Sequence, residues 1–240
     1  MPPIKPEMSV SVIDDMVEVW FLFGRSIKKK LLGNLLNHYL EIGCSTQQNG
    51  QEDTCKYQPP DFKEPTQTLN TEEAFNRIVS DQKGGLELWY EDIRVDLEVN
   101  LESSVFSTTK HISLKIWSSQ FKDHDKDHSS PMDRVSSFLD LVFQLVDIMK
   151  PKYAFGSLYG EQDSGEEITR EVLDKSGIPG IFWINLFTKD LISRIGEEKL
   201  LSAPAWKVDK ISKDQILLVV TSSPLSYKQE ADQIEDFLYD

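Results

Sequence analysis

From Ile93 to Glu102 apolar and polar residues alternate without a break: Ile93, Val95, Leu97, Val99 and Leu101 on one parity, Arg94, Asp96, Glu98, Asn100 and Glu102 on the other. Successive side chains of a strand point to opposite faces, so this segment specifies a strand with one face in a core and one in water. Half-wet strands belong to antiparallel sheets, because parallel sheets are covered on both sides. Ile112, Leu114 and Ile116 repeat the alternation and supply the simplest antiparallel partner. Residues 86–92 (LELWYED) read as a further strand just before it.

The dry face of such a sheet needs a cover, and the chain supplies helices for it. Residues 26–42 place Ile27, Leu31, Leu32, Leu35, Leu36, Tyr39, Leu40 and Ile42 at helical spacing, with Gly43 as a stop. Asn70 with Glu73 forms a capping-box signal for a helix carrying Ala74, Phe75, Ile78 and Val79, which Gly84-Gly85 is expected to end. Ser130-Pro131 opens the strongest helix, whose wide apolar stripe from Met132 to Met149 predicts burial on more than one side; Pro151 stops it.

Further strands are expected at 16–23 (MVEVWFLF), 152–159, 181–187, 205–211 and 215–220, with a short helix at 188–195. Residues 163–176 read as polar and partly helical, and Tyr227 to Tyr239 as an acidic closing helix. Gly156, inside the 152–159 strand, marks a close approach of a neighbouring backbone. Strands and helices mix without a βαβ rhythm, so the expected fold is α+β: a mixed, largely antiparallel sheet with helices packed on it. One domain over residues 1–240 is expected, with a polar loop or insertion at 44–69, punctuated by Gly50, Pro59, Pro60 and Pro65.

Composition narrows the function classes. Asp and Glu outnumber Lys and Arg 40 to 26, a formal charge of −14, which opposes binding to nucleic-acid phosphates. Lys28-Lys29-Lys30 is the one basic run and reads as a solvated helix face. No apolar run reaches the roughly 18 residues of a membrane span, and MPPIKPEMSVSVIDD has no signal-peptide pattern, so a cytoplasmic location is expected. Cys44 and Cys55 then read as free thiols.

Motifs that carry chemistry are not met. Asp123, Asp125 and Asp127 fit the first positions of an EF-hand loop, but His128 stands where glycine is required and Arg134 where the bidentate Glu belongs. His124 and His128 have Lys126 between them and no cysteine nearby, so a solvated loop is the better reading than a metal site. Gly156-Ser157-Leu158-Tyr159-Gly160 lacks the central serine of a nucleophile elbow. His38 and His111 come with no serine or cysteine signature, and no phosphate-binding glycine loop occurs. Glu166-Glu167 and Glu197-Glu198 need no role beyond surface charge. Trp20, Trp89, Trp117 and Trp183 lie in strand-like runs without interleaved basic residues, which favours core packing over base stacking. No catalytic, cofactor-binding or metal residues are therefore assigned.

Residues 178–187, Ile-Pro-Gly-Ile-Phe-Trp-Ile-Asn-Leu-Phe, resemble the P-x-x-x-W-x-N-x-F strand of the bacterial immunity protein 52 family and related type VI immunity proteins. Residues 195–205, from Ile195 through Ser202-Ala203-Pro204-Ala205, resemble the segment that follows it there, and the hairpin to Ser223-Pro224-Leu225 continues in the same order. The resemblance implies a non-enzymatic bacterial protein without cofactor that binds and neutralises a cognate protein toxin. The contact surface expected for it is the outer face of the 93–102 strand (Asp96, Glu98, Glu102) or the 44–69 loop, with Trp183, Asn185, Gly196 and Ser202-Ala203-Pro204 as fold determinants. The alternative reading is a hydrolase or small-ligand-binding protein whose site is assembled from dispersed carboxylates and histidines.

Overall fold

A computed structural model describes residues 15–24, 26–46, 53–60, 64–101, 110–122, 129–158 and 180–239. In chain order the elements are β1 (Met16–Leu22), α1 (Lys29–Glu41), β2 (Thr54–Gln58), β3 (Gln67–Asn70), α2 (Thr71–Asp81), β4 (Lys83–Tyr90), β5 (Ile93–Asn100) and β6 (His111–Trp117). After a 3-10 turn at Ser118–Phe121 come α3 (Pro131–Met149), β7 (Tyr153–Leu158), β8 (Ile184–Thr188), α4 (Lys189–Ile195), α5 (Glu197–Leu201), β9 (Lys207–Ser212), β10 (Gln215–Val219) and α6 (Lys228–Tyr239).

The fold is α+β. All ten strands among the described residues join one sheet in the order β3-β2-β4-β5-β6-β1-β7-β8-β10-β9. Every pairing is antiparallel, so the sheet carries none of the parallel component that the sequence left open. β1 lies in its middle, with Val19 opposite Leu114 of β6 and Gly156 of β7. The expected approach at Gly156 is real: a Cβ there would lie 2.6 Å from Val19 Cγ2 and 3.1 Å from the Glu18 carbonyl oxygen.

One face of the sheet is dry. Tyr57, Leu86, Leu97, Leu114, Val19 and Ile184 form a single cross-strand row on it. Arg77 of α2 lies over the Tyr57 ring, and Lys207 of β9 reaches the ring of Phe143 on α3. α3 starts as its sequence predicts, with a reciprocal Ser130–Asp133 capping box and Pro131 at the first position. Phe138 of α3 stacks on Trp183 and meets Phe121 edge-on, which explains the breadth of the apolar stripe.

Three local expectations are corrected. The 44–69 stretch contains β2 and β3, which pair with each other and extend the sheet to its edge. Only Cys55 and Tyr57 of β2 are buried, too few for a pattern to stand out among polar neighbours. Asn70 caps α2 by accepting from the Glu72 N–H at 3.0 Å, while Glu73 turns to Arg77 instead of closing a box. α2 ends at Gln82 in a left-handed conformation, and Gly84-Gly85 lie inside β4. Gly84 has φ of 127°, and a Cβ there would press on Tyr57 and Ile78, so packing and backbone both select glycine.

Candidate functional site

Over β4, β5, β6 and β1 the second sheet face is polar and charged, half-buried at Glu87, Arg94, Asp96, Glu98 and Lys115 and buried at Glu18, Ser113 and His111. Register aligns Glu87, Asp96, Lys115 and Glu18 in one row across the four strands. The Lys115 ammonium lies 3.4 Å from Glu18 and bonds Glu98 more closely still. Glu18 is almost fully buried, so the pair is a desolvated ion cluster rather than a surface bridge. Burial alone would lower the Lys115 pKa; the Glu18 and Glu98 carboxylates outweigh it and hold the pKa above the ordinary lysine value.

Arg94 lies 2.9 Å from Glu87 and 3.8 Å from Asp96, and Trp89 Nε1 also donates to Glu87. Asp96 accepts no hydrogen bond from any described residue. Burial raises its carboxyl pKa despite the attraction of Arg94. These side chains rim a concavity of about 240 Å³, with Gly85 on its wall opposite Glu98.

The neighbouring part of the face is aromatic. Trp20 of β1 stacks on His111 of β6 at 4.6 Å and 8°, and Phe155 of β7 continues the stack to Phe182. Several buried polar atoms here find no partner among the described residues: Trp20 Nε1, Ser113 Oγ, Asn100 Oδ1 and Arg94 Nε. All four belong to the wet-face parity of their strands, whereas Tyr39 Oη, the other such atom, is on α1. A buried polar group without a partner is costly, and here the cost is concentrated on one surface.

The sequence-predicted residues distribute as follows. Asp96 and Glu98 are on this face, but Arg94 and Lys115 pair with them, so the surface is mixed in charge and not simply acidic. Glu102, Asp123–His128, Glu166, Glu167, Tyr159 and Gly160 lie outside the described residues. His38 bonds Gln144 at 3.2 Å beside Glu41, away from His111 on the wet face. Ser157 is buried and turns its hydroxyl to the Leu158 carbonyl. No group of three or more His, Cys, Asp or Glu able to hold a metal occurs among the described residues. No helix among them is long and apolar enough to cross a membrane. Arg134, which disqualified the EF-hand pattern, is a buried cation donating to the carbonyls of Gln120, Lys122 and Ser129.

Of the expected fold determinants, Trp183, Asn185 and Ala203 are buried, Gly196 is half-buried, and Ser202 and Pro204 are exposed. Asn185 donates to the Phe182 carbonyl at 2.6 Å and accepts from the Phe182 N–H at 2.9 Å, while Trp183 Nε1 donates to the Thr221 carbonyl. The W-x-N spacing thus fixes the backbone leading into β8 from two directions.

Glu18 and Lys115 are among the residues of the charged cluster that escaped the sequence reading. Glu18 is a lone carboxylate in the apolar run MVEVWFLF, and Lys115 a lone cation between Leu114 and Ile116. An isolated charge on the polar parity of an otherwise apolar strand was the available signal, and both have it.

An antiparallel α+β sheet with one helix-covered face and one half-buried ionic face defines the class of architecture. No protein-family model matches the chain, and no curated protein matches it. Among solved structures it is similar to the Pseudomonas aeruginosa T6SS protein PA0821, with a TM-score of 0.50 over 93% of this chain and 73% of that one at 10% sequence identity. At that identity the likeness is one of fold.

Proposed function

We propose that this chain is a non-enzymatic, cytoplasmic immunity protein that binds and neutralises a cognate bacterial toxin. The observation that carries the reading is the half-buried charged face over β4 and β5, a concavity rimmed by Glu87, Arg94, Asp96, Glu98 and Lys115 with the Arg94 Nε donor left unbonded. Such a surface supplies fixed, partly exposed charges of both signs that reject mismatched partners. The resemblance of residues 178–225 to the immunity protein 52 family supports the same reading, as does a fold likeness to a protein described as belonging to a T6SS.

The net charge of −14 acts at longer range than the face itself. It steers a basic partner toward the molecule, while the mixed charges of the face set orientation on contact. The test is co-expression with the toxin-like reading frame beside its gene. Protection of the host and a complex that survives size-exclusion chromatography are expected; absence of both overturns the proposal.

A further inference from the structure

We infer that the outer edge of β9 pairs with the β9 of a second copy of this chain, joining two sheets into one across a two-fold axis at Val208. The inference stands apart from the toxin-binding reading.

β9 is the margin of the sheet. β10 is buried at every position, whereas every residue of β9 is half-buried or exposed. β10 takes up one side of its backbone, and no described strand lies beyond the other. A free edge presents unpaired N–H and C=O groups and is a template for a further strand. Trp206, which leads into β9, is 43% exposed, and Leu201 at the end of α5 is 42% exposed. Large exposed side chains beside a bare edge are what an interface covers.

Symmetry restricts the pairing. Residues directly opposite each other in an antiparallel pair point to the same sheet face. A two-fold pair of identical strands must therefore be centred on one residue facing its own copy. Centring on Lys207, Asp209 or Lys210 sets like charges against each other, a destabilising contact. Ile211 and Ser212 sit at the bulge before the hairpin turn, outside the regular ladder. Val208 remains.

With Val208 facing its copy, Lys207 stands opposite the second copy's Asp209 at both ends of the pair. Within one chain Lys207 Nζ is already 3.2 Å from Asp209 Oδ2. The pairing thus sets each carboxylate between two ammonium groups, in a ring of four alternating charges. Trp206 falls opposite the second copy's Lys210, whose aliphatic stem offers its ring apolar contact. Overall charge does not oppose the pairing here: residues 197–214 carry four lysines and four carboxylates, so the surplus behind the −14 lies elsewhere. Repulsion from those distant charges is screened beyond about 8 Å at physiological salt.

Sedimentation equilibrium of the full chain, over about 1–500 µM in about 0.15 M salt, tests this. One strand pair is at the small end of specific interfaces, so a monomer–dimer equilibrium with a dissociation constant of about 1–100 µM is expected. Lys207→Asp and Asp209→Lys are each expected to weaken it by about tenfold or more, because both cross-strand contacts become repulsive. The two side chains are 40% and 43% exposed, so the variants are expected to fold, and thermal unfolding checks this. Two recoveries are specific to the register: the double variant dimerises again, and an equimolar mixture of the single variants forms a heterodimer. A wild type that stays monomeric overturns the inference, as does a dimer that the single variants leave intact or that neither recovery restores. A monomeric wild type that loses its toxin through Asp209→Lys would give the edge to a strand of the toxin, and also overturns self-pairing. Failure of the wild type to protect its host bears on the immunity reading alone.

Discussion

The Lys115 ammonium stands 3.4 Å from the carboxylate of Glu18, a side chain only 3% exposed in the middle strand of the sheet. Removing the cation withdraws the compensation that Lys115 gives to a buried carboxylate, the costly half of a buried ion pair. Lys115→Met is expected to destabilise by about 3–5 kcal/mol, measured by urea unfolding. Adding Glu18→Gln is expected to recover much of the loss; a second loss of equal size in the double variant would show that the two residues are not coupled.

The same pair sets an alkaline limit. The Lys115 pKa is raised in the folded chain, so its stabilisation is fully present below the ordinary lysine value of 10.5 and is lost as pH rises through the folded value. The urea midpoint of the wild type is expected to fall as pH rises beyond the ordinary lysine value of 10.5. The corresponding fall in Lys115→Met should be shallower. Parallel curves for the two proteins would contradict the coupling.

Gly156 is held by contact with its neighbour. Since a Cβ would sit 2.6 Å from Val19 Cγ2 at the sheet's centre, Gly156→Ala is expected to cost about 1–3 kcal/mol through overpacking. Gly156→Ala combined with Val19→Ala should be less destabilised than the sum of the single changes. Chemical denaturation of the three variants reads this directly.

Asn185 satisfies both backbone groups of Phe182 from a fully buried position. Asn185→Ala strands those groups at about 1–3 kcal/mol each, and faster amide hydrogen exchange at Phe182 is the expected local signature. Unchanged exchange there would mean that something other than Asn185 holds the segment.

Both cysteines are buried, and burial pushes Cys44 up to about 12 and, with a smaller contribution from Asp53, Cys55 up to about 11. Little thiolate exists at neutral pH, so an aromatic disulfide reagent is expected to label neither thiol in the folded chain at pH 8 and both in urea. Rapid labelling of the native protein would contradict the burial.

Where sequence and structure agree, the residues carried a periodic signal. The alternation that starts at Ile93 became β5 as far as Asn100 and the Ser130-Pro131 start became α3, because each pattern repeats often enough to outweigh local exceptions. β2 and β3 had no such repetition; Cys55 and Tyr57 are buried only because the sheet reaches them. The wet face was half legible. Asp96 and Glu98 advertised a solvent side, but their neutralisation depends on cross-strand register with Lys115 and Glu18, which sequence separation conceals. The unpartnered groups of Ser113 and Trp20 have no sequence signature, since a missing bond is a property of three-dimensional surroundings.

The position of β1 has a consequence for how the chain assembles. It is the earliest described strand, yet its two neighbours are β6 and β7, far downstream. During synthesis its backbone donors and acceptors stay without sheet partners until those strands emerge, and the sheet closes only after long loops have formed around it. Slow, largely post-translational folding is therefore built into the topology. The apolar run at β1 is the segment most in need of shielding from aggregation while the ribosome is still working.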